Sequence, residues 1–236
     1  MISTSIRSNE PETMDNFAMK GDVLKDALDK IANINQLLGG NKVTLEGVKF
    51  LLSRVDKSKT YRIVDLGCGN GDMLRTLSAF AAKEKINLEL IGIDANSFTV
   101  KHAQSLSANY DNITYQCLDI FSDKSWEDPY DIILCTLTLH HFKDQEIYTL
   151  LRNFLLKSRL GFVVNDLHRS AVAYYLFKAL CFVFRLNDMS REDGLVSILR
   201  GFKKTDLERY ADHLNVSKYS IKWKWAFRYQ WIVETI

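Results

Sequence analysis

With 236 residues, 47% of them hydrophobic and 25% charged, the chain has the composition of a globular protein and the length of one α/β domain with appended helices. Its 31 Lys and Arg against 29 Asp and Glu leave a formal charge of +2, so the bulk basicity of a nucleic-acid binder is absent and no nucleic-acid partner is expected. Cys68, Cys117, Cys135 and Cys181 lie far apart, mostly in apolar runs and without a C-x-x-C pair, which favours buried free thiols over disulfides or zinc.

The opening MISTSIRSNEPETMDNF has no apolar segment of the kind a secretory signal needs. Residues 1–12 are polar, carry Pro11 and offer nothing to bury, so a disordered tail is expected there. Residues 13–58 read as a helical cap. Val23, Leu24, Ala27, Leu28, Ile31, Ile34, Leu37 and Leu38 recur at helical spacing, Gly39 and Gly40 end that helix, and Thr44 is the expected N-cap of a second one reaching about residue 55.

The stretch 63–72, IVDLGCGNGD, reads as strand, tight turn and helix: apolar residues, Asp65, glycines at alternate positions (Gly67, Gly69, Gly71), then Asp72 opening an apolar-periodic run. Glycines there permit positive φ and let a ligand lie against bare backbone. A dinucleotide fold wants G-x-G-x-x-G, but here the third glycine comes one residue early and acids flank the loop. Carboxylates at those places repel a pyrophosphate and suit a ligand with an ammonium group and ribose hydroxyls.

From residue 59 the pattern alternates. Strands are expected at 61–66, 88–93, 113–118, 131–135 and 161–165, and helices at 72–83, 97–108 and 143–156: a mostly parallel sheet with helices on both faces and its ligands outside the strands' carboxyl ends. Helices at 168–186 and 190–200 form a lid insertion over about 168–200, and Thr205 caps a further helix to about residue 213. Runs 216–223 and 225–233 alternate as an antiparallel pair that completes the domain at 59–236; the KWKWAFRY within them reads as a half-exposed strand rather than a stacking site for single-stranded nucleic acid.

Each strand end carries candidate chemistry. Asp94, with Ala95 beside it, closes the second strand and can accept bonds from vicinal hydroxyls; Asp119 and Ile120 follow the third. The fourth leads through Cys135 into LTLHHF, where His140 and His141 can serve as a general base, a packing element or a metal pair. Adjacent ligands rarely converge and no third ligand stands at a recognised spacing, so no metal is expected. After the fifth strand, in NDLHR, His168 opens the apolar helix toward the same mouth as His140.

The D-x-G-x-G-x-G loop, the acid ending IGIDAN and the LTLHHF run together resemble class I S-adenosylmethionine-dependent methyltransferases over about residues 60–165. The flanks DALDKIANINQLLGGNK and VSILRGFKKTDLE are similar to a small-molecule subgroup, bacterial enzymes associated with polyketide, aryl-polyene or quinone-like metabolites. The resemblance implies a Rossmann-like seven-stranded sheet and S-adenosylmethionine as cofactor. It implies Asp65, Gly67, Cys68, Gly69, Asp94, Ala95, Asp119, Ile120 and Cys135 as cofactor-binding residues, with Asp94 on the ribose and the Asp119–Ile120 pair around the adenine. His140, His141 and His168 become the candidate catalytic residues, and Asn35, Gly40, Arg200 and Phe202 candidates for closing the pocket.

A sulfonium already carries a good leaving group, so such a protein mainly aligns acceptor, methyl and sulfur. An oxygen acceptor also has to lose a proton; a phenol with a pKa of about 10 can give it to a base near about 6.5, such as histidine. The expected function is therefore methyl transfer to a small apolar or aromatic acceptor, first on oxygen. Carbon methylation of a quinone-type ring is the alternative, and a cofactor-binding module without catalysis is the alternative of another class. No Asp/Asn-Pro-Pro motif for nucleic-acid substrates follows the fourth strand. The longest apolar stretch, 171–184, is broken by Lys178 and too short to span a bilayer, so a cytoplasmic protein without stable membrane insertion is expected. Its Tyr174, Tyr175, Phe177, Phe182 and Phe184 suit an acceptor pocket, a core, a homodimer contact or a membrane surface.

Overall fold

The computed structural model describes residues 2–235. Two helices, α1 (Asp22–Leu37) and α2 (Gly40–Leu51), precede β1 (Thr60–Leu66), α3 (Asp72–Glu84), β2 (Asn87–Asp94), α4 (Ser97–Leu106), β3 (Ile113–Cys117), β4 (Tyr130–Thr136), α5 (Asp144–Lys157) and β5 (Ser158–Leu167). Then come α6 (Ala171–Val183), α7 (Asp188–Arg200), α8 (Lys204–His213), β6 (Tyr219–Lys224) and β7 (Arg228–Glu234). The strands form one sheet in the order β3-β2-β1-β4-β5-β7-β6, with β7 antiparallel to both neighbours and the rest parallel.

The central strands are apolar on both faces because helices cover both. In β1, Ile63 joins Leu74 and Leu77 of α3 on one side, while Val64 and Leu66 join Leu150 and Phe154 of α5 on the other. The chain order reverses direction between β1 and β4, and Leu66 pairs with both Ile93 and Cys135, so three strands end level at that switch point. A crevice opens there in sheets of this kind.

Three departures matter for the site. The second helix starts at Gly40, not at Thr44, because Gly39 takes a left-handed φ of 77° and turns the chain directly from α1 into α2. Thr44 then lies fully buried within the helix, with its Oγ1 3.0 Å from Thr136 Oγ1 and accepting from Asn165 Nδ2. α2 is also part of the sheet's own cover, since a Cβ on Gly47 would come within 2.7 Å of Val163 Cγ1 on β5.

The largest departure is the N-terminal segment. Residues 2–12 are laid over the carboxyl end of the sheet instead of being loose. Arg7 bonds Asp144 Oδ1 at 3.0 Å and the carbonyls of His140, Phe142 and Arg200, and its guanidinium stacks 4.6 Å from the Phe202 ring centroid. Glu12 is buried. The sequence reading counted apolar surface, whereas this segment is held by charge and carbonyl acceptors. Of the cysteines, Cys117 is exposed and the other three are buried, all free.

Candidate active site

The β1–α3 loop is tight because its glycines do what other residues cannot. Gly67, Gly69 and Gly71 have φ of 70°, 53° and 78°. A Cβ on Gly67 would stand 2.4 Å from Thr138 Oγ1, and one on Gly71 2.0 Å from Tyr115 Oη. The Gly67 and Cys68 amides both donate to the Ile93 carbonyl, tying the loop to β2. From α1, Asp29 receives Asn70 Nδ2 at 3.0 Å and sits 2.7 Å from His102 Nε2, so the cap is fastened to the loop.

Acids collect around it. Asp65 is 2% exposed and its Oδ1 has no hydrogen-bond partner among the described residues. Burial, and then the Asp72 and Asp94 carboxylates, push its pKa well above the usual range. Asp94 accepts from Gly69 N at 3.2 Å and Asn96 N at 2.9 Å, yet burial outweighs those bonds and raises it too. Asp119 is exposed beside the buried Ile120.

A second cluster stands at the ends of β4 and β5. His140 lies on the 3-10 turn after β4, 2% exposed, with Nδ1 2.6 Å from Asp166 Oδ1 and its backbone N–H donating to Asp166 Oδ2 at 3.1 Å. An ionised carboxylate at Nδ1 places the proton on that nitrogen and leaves the Nε2 lone pair free. Nε2 has no hydrogen-bond partner among the described residues; Glu12 Oε1, also without one, is 3.6 Å away. His141 repeats the pattern, with Nδ1 2.6 Å from Asp15 Oδ1 and Nε2 3.9 Å from Glu12 Oε2.

Arg200, at the end of α7, binds this cluster together. It bonds the carbonyls of Glu10, His140 and His141, lies 2.7 Å from Asp15 Oδ2 and 3.6 Å from Glu12 Oε1. Asp193 of α7 accepts the Thr13 and Met14 amides, so the N-terminal strap is fixed at both ends of the cluster. Burial pushes Glu12 up to about 7 against the pull of His141 and Arg200. Burial would raise Asp15 and Asp166 as well, but bonds and charge from His141 and Arg200 hold Asp15 low, and those from His140 hold Asp166 low.

Both clusters line one cavity of about 1110 Å³, closed on the far side by Ala173, Leu176, Phe177 and Leu180 of α6. Sites for one drug-sized ligand run roughly 300–1,000 Å³, so this cavity has room for two molecules. Asp65, Gly67, Cys68, Gly69, Asp94, Ala95, Asp119, Ile120, His140 and His141 all line it, as do Asn35 and Arg200.

Other expected site residues lie elsewhere. Cys135 is fully buried in the core on the α5 side, since alternation along β4 turns it from the cavity, and residues 136–138 take its place. His168 is not part of the lining. It accepts from Trp223 Nε1 at 3.2 Å and lies edge-on to Tyr229, because β5 continues through Leu167 and carries it toward the β6–β7 pair. Phe202 is core, and Gly40 acts indirectly, leaving room for Asn35. Against expectation, the adjacent histidines do converge: ligand-capable atoms of Glu12, His140 and His141 lie within 4.8 Å of one another. Glu12 and Asp15 escaped the sequence reading because both sit in a stretch read as a tail or its border; only a capping signal, Glu12 with Asp15 three residues on, marks it.

A family model described as a methyltransferase domain matches residues 57–215. Among solved structures, the plantazolicin methyltransferase BpumL in complex with SAH is similar at 15% identity, over 89% of each chain, with a TM-score of 0.66. The citrinin polyketide synthase CMeT domain is similar at 17% identity over 80% of this chain and 50% of that one, TM-score 0.60. Magnesium protoporphyrin IX methyltransferase from Synechocystis PCC 6803, with bound SAH, is similar at 16% over 83% and 82%, TM-score 0.54. No curated protein is close enough in sequence to match. At such identities the structures speak to the fold, and the family model to the family. With its glycine loop, acid-ended strands and seven-stranded sheet, the chain belongs to the methyltransferase-domain family, as a class I S-adenosylmethionine-dependent methyltransferase.

Proposed function

We propose that the chain moves a methyl group from S-adenosylmethionine to a hydroxyl of a small apolar or aromatic acceptor held in the cavity between the sheet and α6. The observation that carries this reading is His140: a buried imidazole of the cavity lining, fixed through Nδ1 by Asp166, whose Nε2 has no hydrogen-bond partner among the described residues.

The loop residues fit the cofactor. Asp65 Oδ1 lacks a donor among the described residues, and an ammonium group beside it would supply both a donor and a positive charge to offset the cost of burying the carboxylate. Asp94 keeps lone pairs for ribose hydroxyls beyond its two backbone donors, and Ile120 is an apolar neighbour for an adenine face. The bound sulfonium supplies an activated methyl group. The protein's own part is positioning, exclusion of water by α6, α7 and the N-terminal strap, and proton removal.

His140 takes the acceptor's proton at Nε2, and Asp166 stabilises the imidazolium. Glu12, 3.6 Å from that nitrogen, adds a second carboxyl to the new charge. A divalent cation among Glu12, His140 and His141 would stand close to the Arg200 guanidinium, already 3.6 Å from Glu12 Oε1, which favours proton handling over metal binding here.

The test is incubation with S-adenosylmethionine and a set of phenols, with product mass and NMR locating the methyl. His140→Gln should lower turnover by about 10²–10⁴ and leave SAH affinity by calorimetry unchanged. Full turnover in that variant, or methyl found on ring carbon, would sink the oxygen-acceptor reading.

A further inference from the structure

Among the described residues, nothing covers one face of α6. Val172, Tyr175, Leu176, Ala179, Phe182 and Val183 recur at i, i+3, i+4, i+7, i+10 and i+11 along its outer side. Phe182 is 88% exposed and Val183 73%. The inner side is packed: Ala173 and Cys181 are buried, and the Phe177 ring lies where a Cβ on Gly194 of α7 would be 2.4 Å away. The helix is therefore apolar toward its own protein and apolar toward the outside, and only the first side is used.

The patch extends beyond the helix. Trp223 and Trp225 are exposed, and Trp223 Nε1 donates to His168 Nδ1 just ahead of the Ser170 that caps α6. Leu176 and Trp225 are both exposed and part of the cavity lining, so the patch runs up to the cavity's mouth. Along α6 and the turn after it the charges have one sign. Between Asp166 and Asp188 the sequence has no acid, and the exposed cations of that stretch, Lys178 and Arg185, make no ion pair among the described residues.

We propose that this face docks on an anionic phospholipid bilayer, setting the mouth of the cavity against the lipid. An exposed apolar stripe with aromatic residues and flanking cations suits shallow insertion at a headgroup boundary. A second copy of the chain suits it less: in a two-fold contact the stripe meets itself, and Lys178 and Arg185 would face like charges with no acid in the stripe to pair them. No helix among the described residues is long and apolar enough to cross a membrane, so the contact is with the surface. Under the function proposed above, on which this point rests, the acceptor is then a lipophilic molecule entering from the bilayer.

The full chain is spun with vesicles of phosphatidylcholine alone or mixed in equal parts with phosphatidylglycerol. Sedimentation with the mixed vesicles, weakened by salt, is expected. The double change Phe182→Glu with Val183→Glu, at exposed positions outside the cavity lining, should reduce partitioning at least about tenfold while SAH affinity stays unchanged. Lys178→Glu should weaken binding to the anionic vesicles alone. Equal sedimentation of the wild type and the double variant would overturn the proposal. So would failure to bind vesicles, whether the chain is monomeric in analytical ultracentrifugation or forms a dimer that the double variant dissociates. Turnover of water-soluble phenols reads the catalytic proposal separately, so either can fail without the other.

Discussion

Replacing Asp166 by Asn tests whether His140 is held as a base or merely packed. Asp166 is 1% exposed and meets three donors: His140 Nδ1 at 2.6 Å and Leu167 N at 2.7 Å on Oδ1, and His140 N at 3.1 Å on Oδ2. An amide keeps one acceptor oxygen. If that oxygen takes the Oδ1 place, the NH2 group confronts the His140 backbone N–H. If it takes the Oδ2 place, the NH2 group faces Nδ1, the imidazole carries its proton on Nε2, and nothing remains there to accept one. Losing a charge-assisted bond costs about 1.5–3 kcal/mol of stability. Losing a positioned base costs about 10²–10⁴ in kcat, or ~2.7–5.4 kcal/mol at 1.36 per tenfold. The assay is kcat from methylated product, with SAH calorimetry and melting temperature alongside. Because Asp166 is held below its ordinary 3.8 in the fold, its contribution is present above that value and is lost as pH falls further, so the stability gap between wild type and variant should close in acid. Wild-type kcat in Asp166→Asn would refute the assignment of His140 as an oriented base.

Asp94→Ala should raise the SAH dissociation constant by roughly 10- to 100-fold, the size of one lost charge-assisted bond, as measured by calorimetry. Unchanged affinity would remove Asp94 from the cofactor site. Glu12, raised from 4.5 to about 7, keeps its proton in the fold where the unfolded chain has lost it. Stability therefore falls as pH rises between those values, by at most ~3.4 kcal/mol for a shift of ~2.5 units. Glu12→Gln should flatten that fall in melting curves taken from pH 4.5 to 8, and parallel curves for the two proteins would refute the burial argument.

The glycine-loop half of the cavity lining was legible because parallel crossovers put each strand's carboxyl end at one edge, so short motifs at 65–72, 94–95 and 119–120 each announce their own place. Element positions in the core followed for the same reason: strand and helix periods are local. What escaped was convergence. Glu12 meets His140 across 128 positions and Arg7 meets Asp144 across 137, through polar contacts that have no period to detect. Cys135 and His168 erred differently. Both were placed by closeness to a strand end, and a single step along a strand decides which face a side chain serves.

The cluster around His140 brings three acids, two imidazoles and a guanidinium close together. Glu12 and Asp15 share Arg200, Asp166 is coupled to the Arg228 guanidinium, and Arg7 is engaged by Asp144. Burial is what lets Glu12 hold its proton up to about 7, against the pull of His141 and Arg200. A proton arriving at His140 Nε2 lands 3.6 Å from Glu12 Oε1, so the imidazolium favours ionised Glu12 and the carboxylate favours the imidazolium. Under the proposed reaction, Asp166 at Nδ1 and Glu12 beside Nε2 are the carboxyls that would stabilise the imidazolium formed as the acceptor oxygen attacks the methyl group.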